Sequence, residues 1–115
     1  EFADLIRSDK HLVHVKKYGG SAVLSHLFSQ GFVSADLLLT DKSFRKEVNS
    51  KLHNSHKSVV LESDPNPSEY TIVYAIGTSK NDFKLPFFSI INYRNIKKQL
   101  SLYRYNVLLV TISQV

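Results

Sequence analysis

Two strongly apolar runs in the second half of the chain constrain the fold more than any other feature. The run YTIVYAIG at 70–77 is too rich in β-branched and apolar residues to leave a face in water, which predicts a central strand. The run NVLLVTIS at 106–113 predicts a second buried strand. Between them, LPFFSI at 85–90 is ambiguous, and Asn92 is a candidate N-cap for a helix. A strand, helix and strand in succession predict parallel neighbours joined by a right-handed crossover.

The first part of the chain predicts a β-hairpin. The runs FADLI at 2–6 and HLVHVKK at 11–17 are β-rich and are separated by the polar turn RSDK. Because strand side chains alternate, Leu12, His14 and Lys16 share one face of the second run. His11, Val13 and Val15 share the other face. The two histidines therefore cannot chelate one ion together.

A helical region follows the hairpin. Gly19 and Gly20 end the strand, and Ser21 is a candidate N-cap. An apolar stripe then recurs at helical spacing and predicts a core helix. Its members are Leu24, Leu27, Phe28, Gly31, Ala35 and Leu38. A glycine inside this stripe indicates a close backbone contact or a bend. Asp41 is a candidate cap for a second helix, and 55–69 is predicted to be mainly a surface loop.

These elements define an α/β fold class. The predicted order is strand, strand, one or two helices, strand, helix, strand, which gives a mixed β-sheet sandwiched by helices. With 115 residues, the chain is predicted to form a single domain around one core. It has no methionine and enters strand-like sequence at once, so we expect it to be a fragment of a longer protein whose upstream part is a partner.

Composition narrows the possible functions. The chain has no cysteine, which excludes thiolate catalysis, cysteine zinc sites and disulfide frameworks. We find neither a signal peptide nor an apolar run of about 20 residues, so we expect a cytoplasmic protein without membrane insertion. The net charge of +5 suits contact with nucleic acid phosphates, although a solvated basic surface gives the same charge.

Asp4 and Lys16 are the candidate chemical groups of the hairpin. A carboxylate on one strand and a lysine on the next are the residue types of metal-dependent phosphodiester cleavage. The carboxylate holds a divalent cation, and the lysine orients or helps to deprotonate the attacking water. The alternative is a surface ion pair across the hairpin, which contributes little to stability.

The stretch ADLIRSDKHLVHVKK, followed by a helix and a β-α-β unit, resembles the PD-(D/E)xK, or restriction endonuclease-like, superfamily. The resemblance implies a domain that cleaves DNA with Mg²⁺ or Mn²⁺. A homodimer is a further expected assembly of the chain. The resemblance also implies Asp4, His14 and Lys16 as catalytic residues, with Asp4 and His14 as metal ligands. In the superfamily pattern the residue two before the lysine is acidic, and here it is His14. The candidate nucleic-acid-binding residues are Lys17, Ser21, Ser25, Gln30, Arg94, Lys97 and Lys98.

The longer string HVKKYGGSAVLSHLFSQGFVSADLLL is similar to the C-terminal part of a group of uncharacterised, sporadically distributed bacterial proteins linked to mobile or defence genes. This similarity implies a role in defence against foreign DNA.

Two further functions remain open. A nuclease-like fold without activity could bind nucleic acid through basic residues and tyrosines. These are Arg45, Lys46, Lys51, Lys57, Arg94, Lys97 and Lys98, with Tyr93, Tyr103 and Tyr105 stacking on bases. A protein-interaction domain would instead expose a large apolar patch, for which LPFF is the candidate. His53 and His56 lack a third ligand nearby and are interpreted as part of the loop.

Overall fold

The computed structural model describes residues 3–7, 9–51, 65–79 and 84–113. These residues form four strands, three α-helices and one 3₁₀ turn. The first half contains β1 (Leu5–Ile6), β2 (His11–Lys17), α1 (Ser21–Thr40) and α2 (Lys42–Lys51). The second half contains the 3₁₀ turn (Pro67–Glu69), β3 (Thr71–Thr78), α3 (Phe87–Leu102) and β4 (Asn106–Ser113).

The four strands form one mixed sheet in the order β1-β2-β3-β4. β1 and β2 are antiparallel, with Leu5 opposite Val13, so the predicted hairpin is confirmed. β2, β3 and β4 are parallel to one another. The predicted β-α-β connection is therefore confirmed, and β3 is central as its apolar run indicated.

The described helices all lie on one face of the sheet, so the described part of the chain has two layers where the sequence predicted a sandwich. α1 packs on β2 and β3, α3 packs on β4, and the two helices contact each other. The connections from β2 to β3 and from β3 to β4 both step in the same direction along the sheet. Two connections of the same hand that step in the same direction place their helices on the same face of the sheet.

Buried tyrosines connect the sheet to α1. The Tyr74 hydroxyl donates a hydrogen bond to the Phe28 carbonyl oxygen over 2.9 Å, and the Tyr105 hydroxyl donates to the Ala35 carbonyl oxygen over 2.7 Å. Burial raises the pKa of both hydroxyls well above the usual range, so both remain protonated donors. Tyr105 is thus a core residue and is not available to stack on bases, as one alternative required.

The face of the sheet opposite the helices is also apolar. Val13, Val73 and Ala75 form a small buried cluster there. The β4 side chains are more exposed: Leu108, Val110 and Ile112 keep between 40% and 48% of their surface accessible. The prediction of a second buried strand is therefore correct for the strand and wrong for its burial, because β4 is an edge strand of the described sheet.

The helix boundaries correct two predicted caps. Ser21 is the first residue of α1, while Gly20 is the N-cap at a φ of 109°, a left-handed value that favours glycine. Asn92 lies inside α3, which begins at Phe87 after Pro86, since proline is tolerated at helix starts. The Asp41 prediction is confirmed, because its Oδ1 accepts a hydrogen bond from the Phe44 N–H over 3.0 Å.

Some predictions fall outside the described residues. His53, His56 and Lys57 belong to this group, together with most of the predicted loop at 55–69. The described end of that loop forms the 3₁₀ turn, where Asn66 caps the N–H of Ser68.

By length and composition alone, α1 is apolar enough to cross a membrane. The core helix of a globular domain passes the same test. Leu24, Leu27 and Phe28 of α1 are completely buried in the core.

Gly31 gives a test of the packing between α1 and β3. A methyl group at this position would lie 2.5 Å from the Tyr74 ring and hydroxyl, in a fully buried site. Overpacking of this kind outweighs the roughly 1 kcal/mol gain in helix propensity. We expect Gly31→Ala to lower the free energy of unfolding by about 2 kcal/mol in urea denaturation. Ser29→Ala, on the exposed side of α1, is the control. An alanine variant as stable as wild type would contradict the close contact.

Candidate functional site

Asp4 lies where the hairpin meets the carboxyl edge of the parallel sheet, the edge at which β2, β3 and β4 end. Its backbone N–H donates to the Val13 carbonyl oxygen over 3.0 Å. Its Oδ2 accepts a hydrogen bond from the Val15 N–H over 2.7 Å. The side chain of Asp4 therefore continues the pairing of β2 beyond the end of β1. Within the described residues its Oδ1 accepts no hydrogen bond.

His14 lies on the helix-facing side of β2 and is only 3% exposed. Its ring packs against Tyr74 with centroids 5.9 Å apart. Burial lowers the pKa of the imidazole, and the nearby Asp4 carboxylate opposes this shift in part. His14 is therefore neutral at pH 7. In the described part of the chain neither ring nitrogen makes a hydrogen bond.

Lys16 follows two residues later on the same face of β2, and its side chain is exposed. Among the described residues it makes no ion pair. The alternative of a surface ion pair between Asp4 and Lys16 is therefore not observed, since the Asp4 carboxylate binds the β2 backbone instead. The predicted alternation of faces along β2 agrees with the burial of Leu12 and His14 in the helix-facing core.

The predicted metal ligands provide only two donor side chains. No group of three histidine, aspartate or glutamate residues occurs among the described residues. Magnesium in phosphate-processing sites keeps several water ligands and binds through one or two carboxylates plus the substrate phosphate. Among the described residues, Asp4 and His14 are thus one donor side chain short of a group of three. They do not form a closed protein cage.

The helices α1 and α3 run parallel and in a constant register. Asn92 Nδ2 donates to Ser25 Oγ over 3.1 Å near one end, and the Tyr103 hydroxyl donates to Asp36 Oδ1 over 2.9 Å near the other. Both pairs are 67 residues apart in sequence. A residue of α1 is therefore level with the residue 67 positions later in α3, and both helices begin at the carboxyl edge.

Basic residues lie at the carboxyl edge, close to the starts of both helices. Lys16 and Lys17 end β2, and Lys84 lies three residues before the start of α3. Neither α1 nor α3 has a capping side chain at its N-terminus or an acidic residue in its first turn. The partial positive charges of both helix starts therefore add to the charges of the lysines.

The described acidic residues are mostly far from this edge. Asp4 is at the edge, and Glu47 on α2 pairs with Lys51. The remaining acids lie near the amino ends of the strands or the carboxyl end of α1, and they are Asp9, Asp36, Asp41 and Glu69. Within the described ranges, acidic side chains are therefore concentrated toward the amino end of the sheet.

The predicted polar residues of α1 do not form one surface. Ser25 faces α3 through its hydrogen bond with Asn92. Gln30 lines an open cavity of about 340 Å³ bounded by α1 and Phe44, together with His26. Ser21 is exposed at the start of α1 and is the polar α1 residue that remains at the carboxyl edge.

The predicted basic and aromatic residues also divide into two groups. Arg94, Lys97 and Lys98 are exposed on α3. Arg45 is only 3% exposed, and its Nη1 donates to the carbonyl oxygens of Leu38 and Leu39 at the end of α1. The proposed role of Arg45 in holding nucleic acid is therefore wrong, because the guanidinium completes a helix end.

The aromatic residues predicted to stack on bases are already used in packing. Tyr93 contacts the rings of Phe28 and Tyr74, and Tyr103 stacks on Phe32. The most exposed aromatics of the described residues are instead Phe87 and Phe88, which belong to the LPFF segment predicted as an exposed patch of a protein-interaction domain. The sequence signal for this exposure was a pair of adjacent phenylalanines after a proline. Neighbouring residues of a helix point in different directions, so both rings of such a pair do not fit into one core-facing stripe.

These features define the class of protein: the described residues form an α/β domain with a mixed sheet, and three lysines lie where strand ends and helix starts meet. A family of unknown function, DUF6119, matches residues 1–113, and the chain belongs to that family. Comparisons with curated proteins and with solved structures gave no match.

Proposed function

We propose that the carboxyl edge of the sheet binds the phosphate backbone of nucleic acid, with DNA as the expected ligand. The observation that carries this proposal is the meeting of Lys16, Lys17 and Lys84 with two uncapped helix N-termini at one edge. Backbone N–H groups at helix starts and lysine ammonium groups are both phosphate donors. The net charge of +5 favours a polyanionic partner.

Salt dependence tests this function. Each lysine that neutralises a phosphate contributes about 0.9 to the slope of log affinity against log salt for duplex DNA. We expect Lys16→Gln, Lys17→Gln and Lys84→Gln each to weaken binding and to reduce that slope by about this amount. Fluorescence anisotropy with labelled DNA over a salt series measures both quantities.

Lys10→Gln is the matched control for these variants. Lys10 carries the same charge but lies at the amino edge, where it pairs with Glu69 over 2.8 Å. Its substitution should leave the slope unchanged. Equal effects of Lys10→Gln and Lys16→Gln would show that binding depends on total charge and would contradict a specific edge.

A second candidate function is metal-dependent cleavage of DNA by a restriction endonuclease-like domain, with defence against foreign DNA as the biological setting that the resemblance implies. It is favoured by the buried, unpaired imidazole of His14 beside the Asp4 carboxylate, on the strand that carries Lys16. The order of an antiparallel hairpin, a helix and a parallel strand also agrees with this class.

In this second function each side chain has a separate task. Asp4 and His14 would hold the ion, which when bound polarises the scissile phosphate. Lys16 orients the attacking water or takes part in its deprotonation. The hydrogen bond from the Val15 N–H to Asp4 Oδ2 fixes one carboxylate oxygen and leaves the other available.

A further inference from the structure

The start of α3 carries an exposed pair of aromatic rings. Phe87 and Phe88 are 69% and 77% exposed, and their ring centroids are 5.4 Å apart in an edge-to-face arrangement. Ile91, one turn later, is also partly exposed. Large apolar side chains in water on a helix surface indicate a contact with another molecule. We name Phe87 and Phe88 the aromatic pair.

The aromatic pair lies at the carboxyl edge. The constant offset of 67 between α1 and α3 makes Phe87 level with Gly20 and Phe88 level with Ser21. Packed helices have axes about 8–10 Å apart, so the pair is close to the start of α1. Phe87 and Phe88 lie three and four residues after Lys84 in the chain. Aromatic rings and phosphate donors therefore occupy the same end of the domain.

The charge around the aromatic pair selects the kind of partner. α3 contains no acidic residue, and Arg94 and Lys98 are exposed on it one and two turns beyond Ile91. An apolar surface with cations on the same helix and at the same edge is complementary to a polyanion that also presents flat apolar faces. Unpaired nucleic acid bases have such faces, whereas the bases of a duplex are already stacked on one another.

We propose that the domain binds single-stranded nucleic acid, with Phe87 and Phe88 stacking on unpaired bases while the lysines at the carboxyl edge contact the phosphates. This inference rests on the proposed phosphate-binding function and narrows its substrate class. Stacking acts on the face of a base and is insensitive to sequence. The site should therefore prefer single strands over duplexes without strong sequence preference.

The test compares a labelled single strand with a duplex of the same sequence by fluorescence anisotropy. Stacking of one base on an aromatic side chain contributes about 5- to 150-fold in affinity. We expect Phe87→Ala and Phe88→Ala each to weaken single-strand binding by about tenfold, with duplex binding and the salt slope unchanged. Leu102→Ala is the matched control, because Leu102 is 74% exposed on the same helix at the opposite edge.

A double variant with Phe87→Leu and Phe88→Leu separates stacking from general apolar contact. Leucine keeps an apolar side chain but has no aromatic face, so single-strand affinity should fall as in the alanine variants. Full retention with leucine would overturn the stacking role and would favour a protein or membrane partner for this surface. Far-UV circular dichroism of each variant verifies folding, which the exposure of both rings predicts to be intact.

Failure of the inference can be distinguished from failure of the proposed function. Salt-dependent binding that is lost in Lys16→Gln but unchanged by the alanine variants would overturn single-strand stacking and leave phosphate binding in place. Absence of binding to both single strand and duplex by wild type would overturn both. Equal weakening for single strand and duplex by the alanine variants would also overturn the proposed preference.

Discussion

Replacing Arg45 by methionine is expected to lower the free energy of unfolding by about 3 kcal/mol and the melting temperature by roughly 10 °C. Arg45 Nη1 donates to the Leu38 carbonyl oxygen over 2.9 Å and to the Leu39 carbonyl oxygen over 3.1 Å. These are among the last carbonyl groups of α1, which lack partners inside the helix. Methionine fills a similar volume but leaves both oxygens without this donor.

The size of this effect depends on what methionine removes. The substitution also removes a buried charge and its desolvation cost, which works in favour of the variant. The orphaned carbonyls still dominate, because each buried acceptor without a partner costs about 1–3 kcal/mol. Thermal and urea unfolding followed by circular dichroism give the two quantities.

Lys46→Met is the matched control for Arg45→Met. Lys46 is the next residue of α2, carries the same charge and is exposed. Its substitution should change stability by less than about 0.5 kcal/mol. If Arg45→Met unfolds like wild type, the carbonyl groups of α1 have other partners and the proposed capping role is wrong.

The sequence predicted the strands well, because their signals are local. The alternation in HLVHVKK and the β-branched run TIVYAIG gave β2 and β3 nearly to the residue. The spacing of the apolar stripe likewise predicted α1, and of the two alternatives for Gly31, a close contact or a bend, the structure shows the close contact. Asp41 was identified as a cap because its side chain and the following helix are neighbours in sequence.

The features that the sequence did not predict depend on tertiary position. The local run of β4 is as apolar as that of β3, and only its place at the edge of the described sheet exposes Leu108 and Val110. Arginine is usually a surface residue. The burial of Arg45 follows from the return of α2 toward the end of α1. No pattern in one segment contains this information.

The candidate site shows the same division. The faces of β2 were predictable, so His14 and Lys16 were correctly assigned to one side. The closeness of the two helix starts depends on the register between α1 and α3, which is set by contacts such as the one between Asn92 and Ser25. For this reason the sequence singled out the hairpin residues and the LPFF segment as separate candidates but did not predict that they lie at the same edge.

The largest expected effect on activity concerns Lys16. If the domain cleaves DNA, Lys16→Met and Asp4→Asn should each reduce the cleavage rate at saturating plasmid by about 100-fold or more in the presence of Mg²⁺ or Mn²⁺. Asn keeps an oxygen that can accept the Val15 N–H, so Asp4→Asn changes charge with little change in the backbone contact. Chelation of the metal should stop cleavage by wild type.

Lys17→Met is the control that separates catalysis from binding. Lys17 has the same charge and lies next to Lys16, but alternation directs it to the other face of β2. Its loss should weaken DNA binding and leave the rate at saturating DNA within a few-fold of wild type. Equal rate losses for Lys16→Met and Lys17→Met would contradict a specific catalytic lysine. A wild-type protein that binds DNA without cleaving it would limit the function of the carboxyl edge to phosphate binding, because the neutral His14 replaces the acidic ligand of the nuclease pattern.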